Sequence, residues 1–126
     1  MPARRDGGPR PLTTPVFQIL LSLVDQELHG YAIIQDIARR TGGEIRLTAS
    51  TLYAAVKRLL DTGWIDEPPR RPRTDRDDPR RRYYRLTALG RDAARAEALR
   101  LERLAGMARA KRLLAPLRAS STTRRQ

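Results

Sequence analysis

Two β-prone runs, Trp64 to Glu67 and RYYRLT from Arg82 to Thr87, flank a stretch that suits no regular element, PPRRPRTDRDDPRRR from Pro68 to Arg82. Runs of this kind joined by a loop pair as a hairpin. Side chains alternate along a strand, so Ile65, Tyr84 and Leu86 should face a core while Tyr83 and Arg85 face outward. The connecting loop carries seven arginines, Arg70, Arg71, Arg73, Arg76, Arg80, Arg81 and Arg82, against three acids, Asp75, Asp77 and Asp78. Asp77-Asp78-Pro79 reads as a turn, because no glycine and downstream glutamate complete a calcium loop.

Three helical segments precede the hairpin. Thr14 followed by Pro15 reads as an N-cap and first helical position, where a missing N–H costs nothing. That helix should run to about Gln26, with Val16, Ile19, Leu20, Leu23 and Val24 on an apolar face flanked by Phe17 and Leu21, broad enough to serve two neighbours. His29-Gly30 opens a second helix, with Tyr31, Ile34, Ile37 and Ala38 at helical spacing and Thr41-Gly42-Gly43 ending it. Glu44 to Leu47 alternates polar and apolar, the pattern of a short strand. Thr48 caps a third helix, in which Leu52, Val56, Leu59 and Leu60 face the core and Gly63 supplies a left-handed stop.

Three helices and then a two-stranded wing is the order of a winged helix-turn-helix. The expected fold class is mainly α with a small β-hairpin, followed by one long C-terminal helix. That helix spans Ala88 to Ala115, about 28 residues and about 42 Å, rich in Ala, Leu, Arg and Glu and closed by Pro116. It is too long to pack only on its own small domain. Ala94, Ala98, Leu101, Leu104, Ala105 and Ala108 form a stripe that admits another helix, and Asp92 with Arg95 and Glu97 with Arg100 add weak surface support. The expected organisation is a flexible basic arm over 1–11, a winged-helix domain over 12–87, a dimerisation helix over 88–116 and a disordered basic tail over 117–126.

Composition limits the partners. Of the 126 residues, 26 are Lys or Arg against 14 Asp or Glu, a formal charge of +12. Such an excess favours a polyanion, either nucleic acid or an anionic membrane. The bases concentrate on a loop rather than along an amphipathic helix with exposed aromatics, which disfavours the membrane. Only Lys57 and Lys111 are lysines. Cysteine is absent, which excludes disulfides and thiolate metal sites. Val16 to Val24 is too short to span a bilayer, and no signal-peptide pattern is present, so a cytoplasmic protein is expected.

The outward face of the third helix carries Ser50, Thr51, Tyr53, Ala54, Lys57 and Arg58: hydroxyls, a ring, a small residue and two cations. A solvated surface is the plain reading of such a face, and the cationic hairpin behind it turns the balance toward duplex DNA. Ser50, Thr51, Tyr53 and Ala54 would enter the major groove, with Ala54 against a thymine methyl. Lys57 and Arg58 would grip flanking phosphates, and the seven loop arginines would line the wing, some reaching a narrow minor groove. His29, the only histidine, has no second ligand or nucleophile beside it and reads as structural. Trp64 reads as a packed wing base in preference to the wall of a ligand pocket. No paired carboxylates, nucleophile–base set or phosphate-binding glycine loop points to an enzyme, and no metal or cofactor is expected.

HGYAIIQDI at 29 to 37, STLYAAVKRLLDTGWI at 50 to 65 and DPRRRYYRLTALG at 78 to 90 resemble, in order and spacing, the PadR family of bacterial transcriptional regulators. The resemblance covers Thr13 to about Leu104, and the short C-terminus is similar to the subgroup with a single helix after the wing. The family's recognition-helix motif falls on Thr51, Leu52, Tyr53, Lys57 and Leu59, and its second wing strand on Tyr83, Tyr84, Arg85 and Leu86. Ser50 stands where glycine is more usual, and Trp64 where a smaller aliphatic is. The resemblance implies a repressor that dimerises through its first and last helices, here Val16, Phe17, Leu20 and Leu21 with Ala94, Ala98, Leu101, Leu104, Ala105 and Ala108. It further implies an inverted-repeat operator and release by a small effector held between the terminal helices of the dimer. The alternative is a winged-helix module that binds protein or RNA without operator specificity.

Overall fold

Each helix among the described residues starts on a side chain that accepts the N–H three residues ahead. The computed structural model describes residues 10–69 and 81–118. Thr13, His29, Thr48 and Thr87 cap α1 (Thr14–Ser22), α2 (Gly30–Arg40), α3 (Ala49–Thr62) and α4 (Ala88–Ala110), receiving the N–H groups of Val16, Ala32, Thr51 and Gly90 respectively. These caps satisfy donors that a helix cannot pair internally. The first cap is Thr13 rather than Thr14, one residue earlier than expected, and α1 closes at Ser22 rather than near Gln26.

The ends of α2, α3 and α4 share a second device. Gly42, Gly63 and Arg112 hold positive φ, at 63°, 80° and 67°. After each, an amide reaches back to a carbonyl five residues earlier: Gly43 to Ala38, Trp64 to Leu59 and Leu113 to Ala108. This is the Schellman arrangement, which pairs the last carbonyls of a helix. It ends α4 at Ala110, so the helix has 23 residues and is about 35 Å long, shorter than the span to Ala115 read from composition. Pro116 lies beyond an end already made at Arg112.

The strands are β1 (Leu28–His29), β2 (Ile65–Asp66) and β3 (Tyr83–Leu86), in the order β1-β3-β2 and antiparallel throughout. The wing is therefore a three-stranded sheet rather than a hairpin alone. Leu28 stands opposite Tyr84 and His29 opposite Tyr83 on one edge, with Ile65 opposite Leu86 and Asp66 opposite Arg85 on the other. Glu44 to Leu47, expected as the extra strand, forms none.

The core is a wedge between the three short helices and the sheet. Ile19, Leu20, Ile33, Ile37 and Leu52 are fully enclosed, with Leu23, Ala55, Val56, Leu59, Ile65 and Tyr84 around them. Within α2 the inward residues are Ile33 and Ile37; Tyr31 lies on the surface and Ile34 is half-buried. Val16, Leu20 and Ala94, expected at a dimer interface, are also buried in this core. Leu20 has no accessible surface left for a partner.

Two buried carboxylates fasten the terminal helices. Asp36 on α2 takes hydrogen bonds from Arg39 and Arg40, and Arg40 reaches on to Ser22 Oγ, Gln18 Oε1 and the Gln18 carbonyl of α1. Burial alone would raise the Asp36 carboxyl, but the hydrogen bonds and charge of these neighbours outweigh it and hold the group below the usual range. Glu97 on α4 receives Arg100 in a two-pronged pair at 2.9 and 2.6 Å and the Leu12 N–H at 3.3 Å. Expected as surface support, Glu97 instead sits inside the fold and ties the segment before α1 to α4.

The left-handed Arg112 gives a direct test of how α4 ends. A β-carbon in that conformation costs about 1 kcal/mol or more, and glycine is free of the cost. Arg112→Gly is expected to raise the unfolding free energy by about 0.5–1 kcal/mol in urea titrations. A loss of stability would mean that the end of α4 is held by the Arg112 side chain.

Candidate nucleic-acid interface

The candidate interface begins at the N-terminus of α3, where Thr48 organises the hydroxyls. Thr48 Oγ1 accepts the Thr51 N–H at 3.1 Å and donates to Thr51 Oγ1 at 3.0 Å, with Ser50 Oγ 3.4 Å away. A hydroxyl already accepting from its neighbour has its own proton free for an outside acceptor. The partial positive charge of a helix N-terminus favours anionic acceptors there. Ser50, Thr51, Ala54, Lys57 and Arg58 are all exposed, and the buried side of the helix is Leu52, Ala55, Val56 and Leu59. These five α3 side chains thus share one exposed side of the helix.

Tyr53 differs in part from its expected role. About half of it is exposed, and its hydroxyl end lies against the backbone of Gly30, where an added β-carbon would come within 2.1 Å of the oxygen. The ring therefore reads outward along one edge and packs α3 onto the start of α2 with the other. A side chain at Gly30 would have to displace the phenol end of Tyr53.

Arg58, at the far end of α3, lines a shallow, mostly apolar groove with Pro11, Leu12, Thr13, Val16, Leu59, Thr62 and Trp64. Trp64 packs on the core from the base of the wing, as expected, and its carbonyl accepts the Thr87 N–H at 3.1 Å. Trp64 also lines this groove.

Of the seven loop arginines, Arg70, Arg71, Arg73, Arg76 and Arg80 lie outside the described residues. Arg81 is exposed and makes no ion pair among the described residues. Arg82 is already engaged, donating to Glu67 at 3.3 and 2.7 Å, and Arg85 donates to Asp66 at 2.8 Å. Glu67 raises the Arg82 guanidinium above its ordinary value, by hydrogen bond and charge. Arg46, which the sequence analysis passed over as a strand residue, is an exposed cation two residues before the α3 cap, its guanidinium lying over Gly43. A base just ahead of a capping threonine is the signal that could have found it.

His29 is structural in three ways at once. It pairs with Tyr83 in the sheet, meets the Tyr83 ring edge-on with centroids 5.3 Å apart, and caps α2 through Nδ1. Burial, and then the charge of Arg81, lowers its pKa below 6.5. An accepting Nδ1 carries no proton, so the cap and the lowered pKa agree.

The model of the transcriptional regulator PadR-like family matches residues 19–96. The chain belongs to this PadR-like family. Among relatives, an uncharacterized protein of Lysinibacillus sphaericus is 33% identical over 78 residues, covering 58% of this chain. This chain spans 64% of that relative's length. A PadR family transcription regulator from Clostridium difficile superposes with a TM-score of 0.66 at 23% identity, over 77% of this chain and 96% of that one. Bacillus subtilis PadR in complex with operator DNA gives 0.54 at 21% identity, over 92% and 55%. At these identities the two structures speak to the fold. This PadR-like chain is a winged helix with the helix, cap and wing order of a transcriptional regulator family. Among its described residues no helix is long and apolar enough to cross a membrane.

Two measurements test the framework of the site. Gly30→Ala places a β-carbon against Tyr53 and 3.0 Å from Leu52 Cδ2, and should cost about 1–3 kcal/mol of stability. Adding Tyr53→Ala should recover part of that loss; simple additivity of the two would show that the ring does not pack there. For His29, the lowered folded pKa means that its stabilisation is complete above pH 6.5 and is lost as pH falls through the lower folded value. The thermal midpoint should therefore drop between pH 7 and 5.5, and His29→Asn, which keeps a cap without titrating, should flatten that window.

Proposed function

We propose that this PadR-like chain is a dimeric transcriptional repressor that reads an inverted-repeat operator with α3 and grips the flanking backbone with its wing. The observation that carries the proposal is the hydroxyl-rich, hydrogen-bond-donating start of α3, exposed beside a strongly cationic wing. Bacillus subtilis PadR, which shares the fold, is described bound to operator DNA. In this reading Ser50, Thr51, Tyr53 and Ala54 enter the major groove. Arg46, Lys57, Arg58 and Arg81 contact phosphates, and the wing arginines Arg70, Arg71, Arg73, Arg76 and Arg80 extend the contact along the duplex.

Dimerisation is supported by the surface left over after folding. With Val16, Leu20 and Ala94 consumed by the core, the apolar residues still available are half-buried Phe17 and Leu21 on α1 and the outer part of α4. There Leu101 and Leu104 are each more than 40% exposed, with Ala98, Ala105 and Ala108 alongside. Large apolar side chains in one stripe on a helix projecting beyond its own core favour a second copy. A twofold dimer sets two recognition helices about one helical turn apart, roughly 34 Å. Release by a small effector, held between the terminal helices of the two subunits, completes the proposed mode of regulation.

Footprinting on the DNA upstream of its own gene tests the reading. Protection of two inverted half-sites is expected, and equal affinity for unrelated duplex at moderate salt would favour the protein- or RNA-binding alternative. Ser50→Ala with Thr51→Val should remove about 1–3 kcal/mol of operator discrimination with little change on random duplex. Leu101→Arg with Leu104→Arg should give a monomer in sedimentation and abolish paired protection.

A further inference from the structure

We infer that Glu67 is a built-in counter-ion for Arg82, so that DNA reaching the crease between α3 and the wing must displace a carboxylate before it gains that arginine. The inference rests on the reading of α3 and the wing as a DNA-binding surface, and assigns Glu67 the role of a positioning residue that limits affinity.

The geometry is specific. Glu67 follows the last residue of β2 and Arg82 precedes the first residue of β3, so the two stand on either side of the wing where its loop leaves the sheet. Their contact is two-pronged, Nε to Oε1 at 3.3 Å and Nη2 to Oε2 at 2.7 Å. This fork-to-fork match is the strongest that a guanidinium makes with a carboxylate. Alternation along the strands puts Arg82 on the same side as Tyr84 and Glu67 on the same side as Ile65, both of which are buried. The Tyr84 hydroxyl lies in the field of Arg82, Tyr53 and Glu67 together. The pair is therefore on the core-facing side of the wing, the side of Ile65 and Tyr84. Asp66 and Arg85, paired at 2.8 Å, alternate to the opposite side.

The pair is open to solvent, with Arg82 67% and Glu67 36% exposed. Exposed pairs add little to fold stability. Their effect on a polyanion is larger in kind. A free cation that meets a phosphate releases a condensed counter-ion from the DNA, which makes binding tighter at low salt and steepens its salt dependence. An arginine that must first give up a fixed carboxylate gains little net attraction, and the freed carboxylate is left close to the backbone. Arg81, one residue earlier, makes no ion pair among the described residues. Glu67 thus sets how much of the wing's charge any duplex can use.

The experiment compares the full chain with Glu67→Gln, Arg82→Ala, the double variant and Asp66→Asn. Affinity is measured against sodium chloride on two duplexes, the upstream fragment and a random sequence. Glu67→Gln should bind both about two- to fivefold more tightly and steepen the salt slope by up to about 0.9, one phosphate contact. Arg82→Ala should change the slope little alone and cancel the gain when combined with Glu67→Gln. Asp66→Asn adds the same charge on the other side and should leave the slope near wild type. Glu67→Ala, with thermal unfolding to establish folding, must move the slope in the same direction as Glu67→Gln. An unchanged slope or weaker binding in Glu67→Gln, or an equal effect of Asp66→Asn, would overturn the inference while leaving DNA binding intact. A wild-type chain that binds neither duplex would overturn the DNA-binding reading and the inference together.

Discussion

Strand β3 is paired on both edges, and the rest of the molecule is built around that pairing. On one side it meets β2 from the end of α3, and on the other β1, the two residues that run directly into α2. The buried ring of Tyr84 fills the space beneath. The wing is consequently joined to both helices of the helix-turn-helix at their ends. His29 makes the coupling close, because one residue pairs with β3, meets the Tyr83 ring edge-on and caps α2. A displacement of the wing strand therefore acts on the start of α2, and through Gly30 on the Tyr53 ring of α3.

The large elements of this fold were legible in the sequence for identifiable reasons. Thr48 and Gly63 bracket α3 with a cap and a left-handed stop, and each leaves a strong residue-type signal. The inward set Ile65, Tyr84 and Leu86 followed from alternation alone. What escaped was short or depended on distance. Two residues, Leu28 and His29, have no period to read, and their strand exists only because β3 presents a free edge to them. The end of α4 was misplaced because Arg112 adopts a conformation that sequence signals associate with glycine, while Pro116 offered a more obvious stop.

The site divides in the same way. The exposed face of α3 came from the 3.6-residue period, and the structure keeps Ser50, Thr51, Ala54, Lys57 and Arg58 on it. Burial could not be read residue by residue on α1, where a broad apolar face had to be shared. The core takes Val16 and Leu20 completely and leaves Phe17 and Leu21 half-exposed. Partnerships across the chain were hidden altogether: Glu97 with Leu12, Arg40 with Gln18, Glu67 with Arg82. These join residues that neither period nor local spacing connects.

Charge is arranged unequally over this surface, and the inequality has a physical consequence. Hydroxyls and a ring dominate α3, with Lys57 and Arg58 only toward its far half. Hydrogen-bond donors of that kind discriminate among acceptors by direction, whereas a dense array of cations attracts every phosphate alike. On the wing, the two described arginines nearest the sheet are each held by an acid, Arg82 by Glu67 and Arg85 by Asp66. These two pairs offset cationic charge at the base of the wing, next to the sheet. In the proposed reading, a chain of charge +12 would need such directional donors to tell one duplex from another, because attraction by charge alone is the same for every sequence.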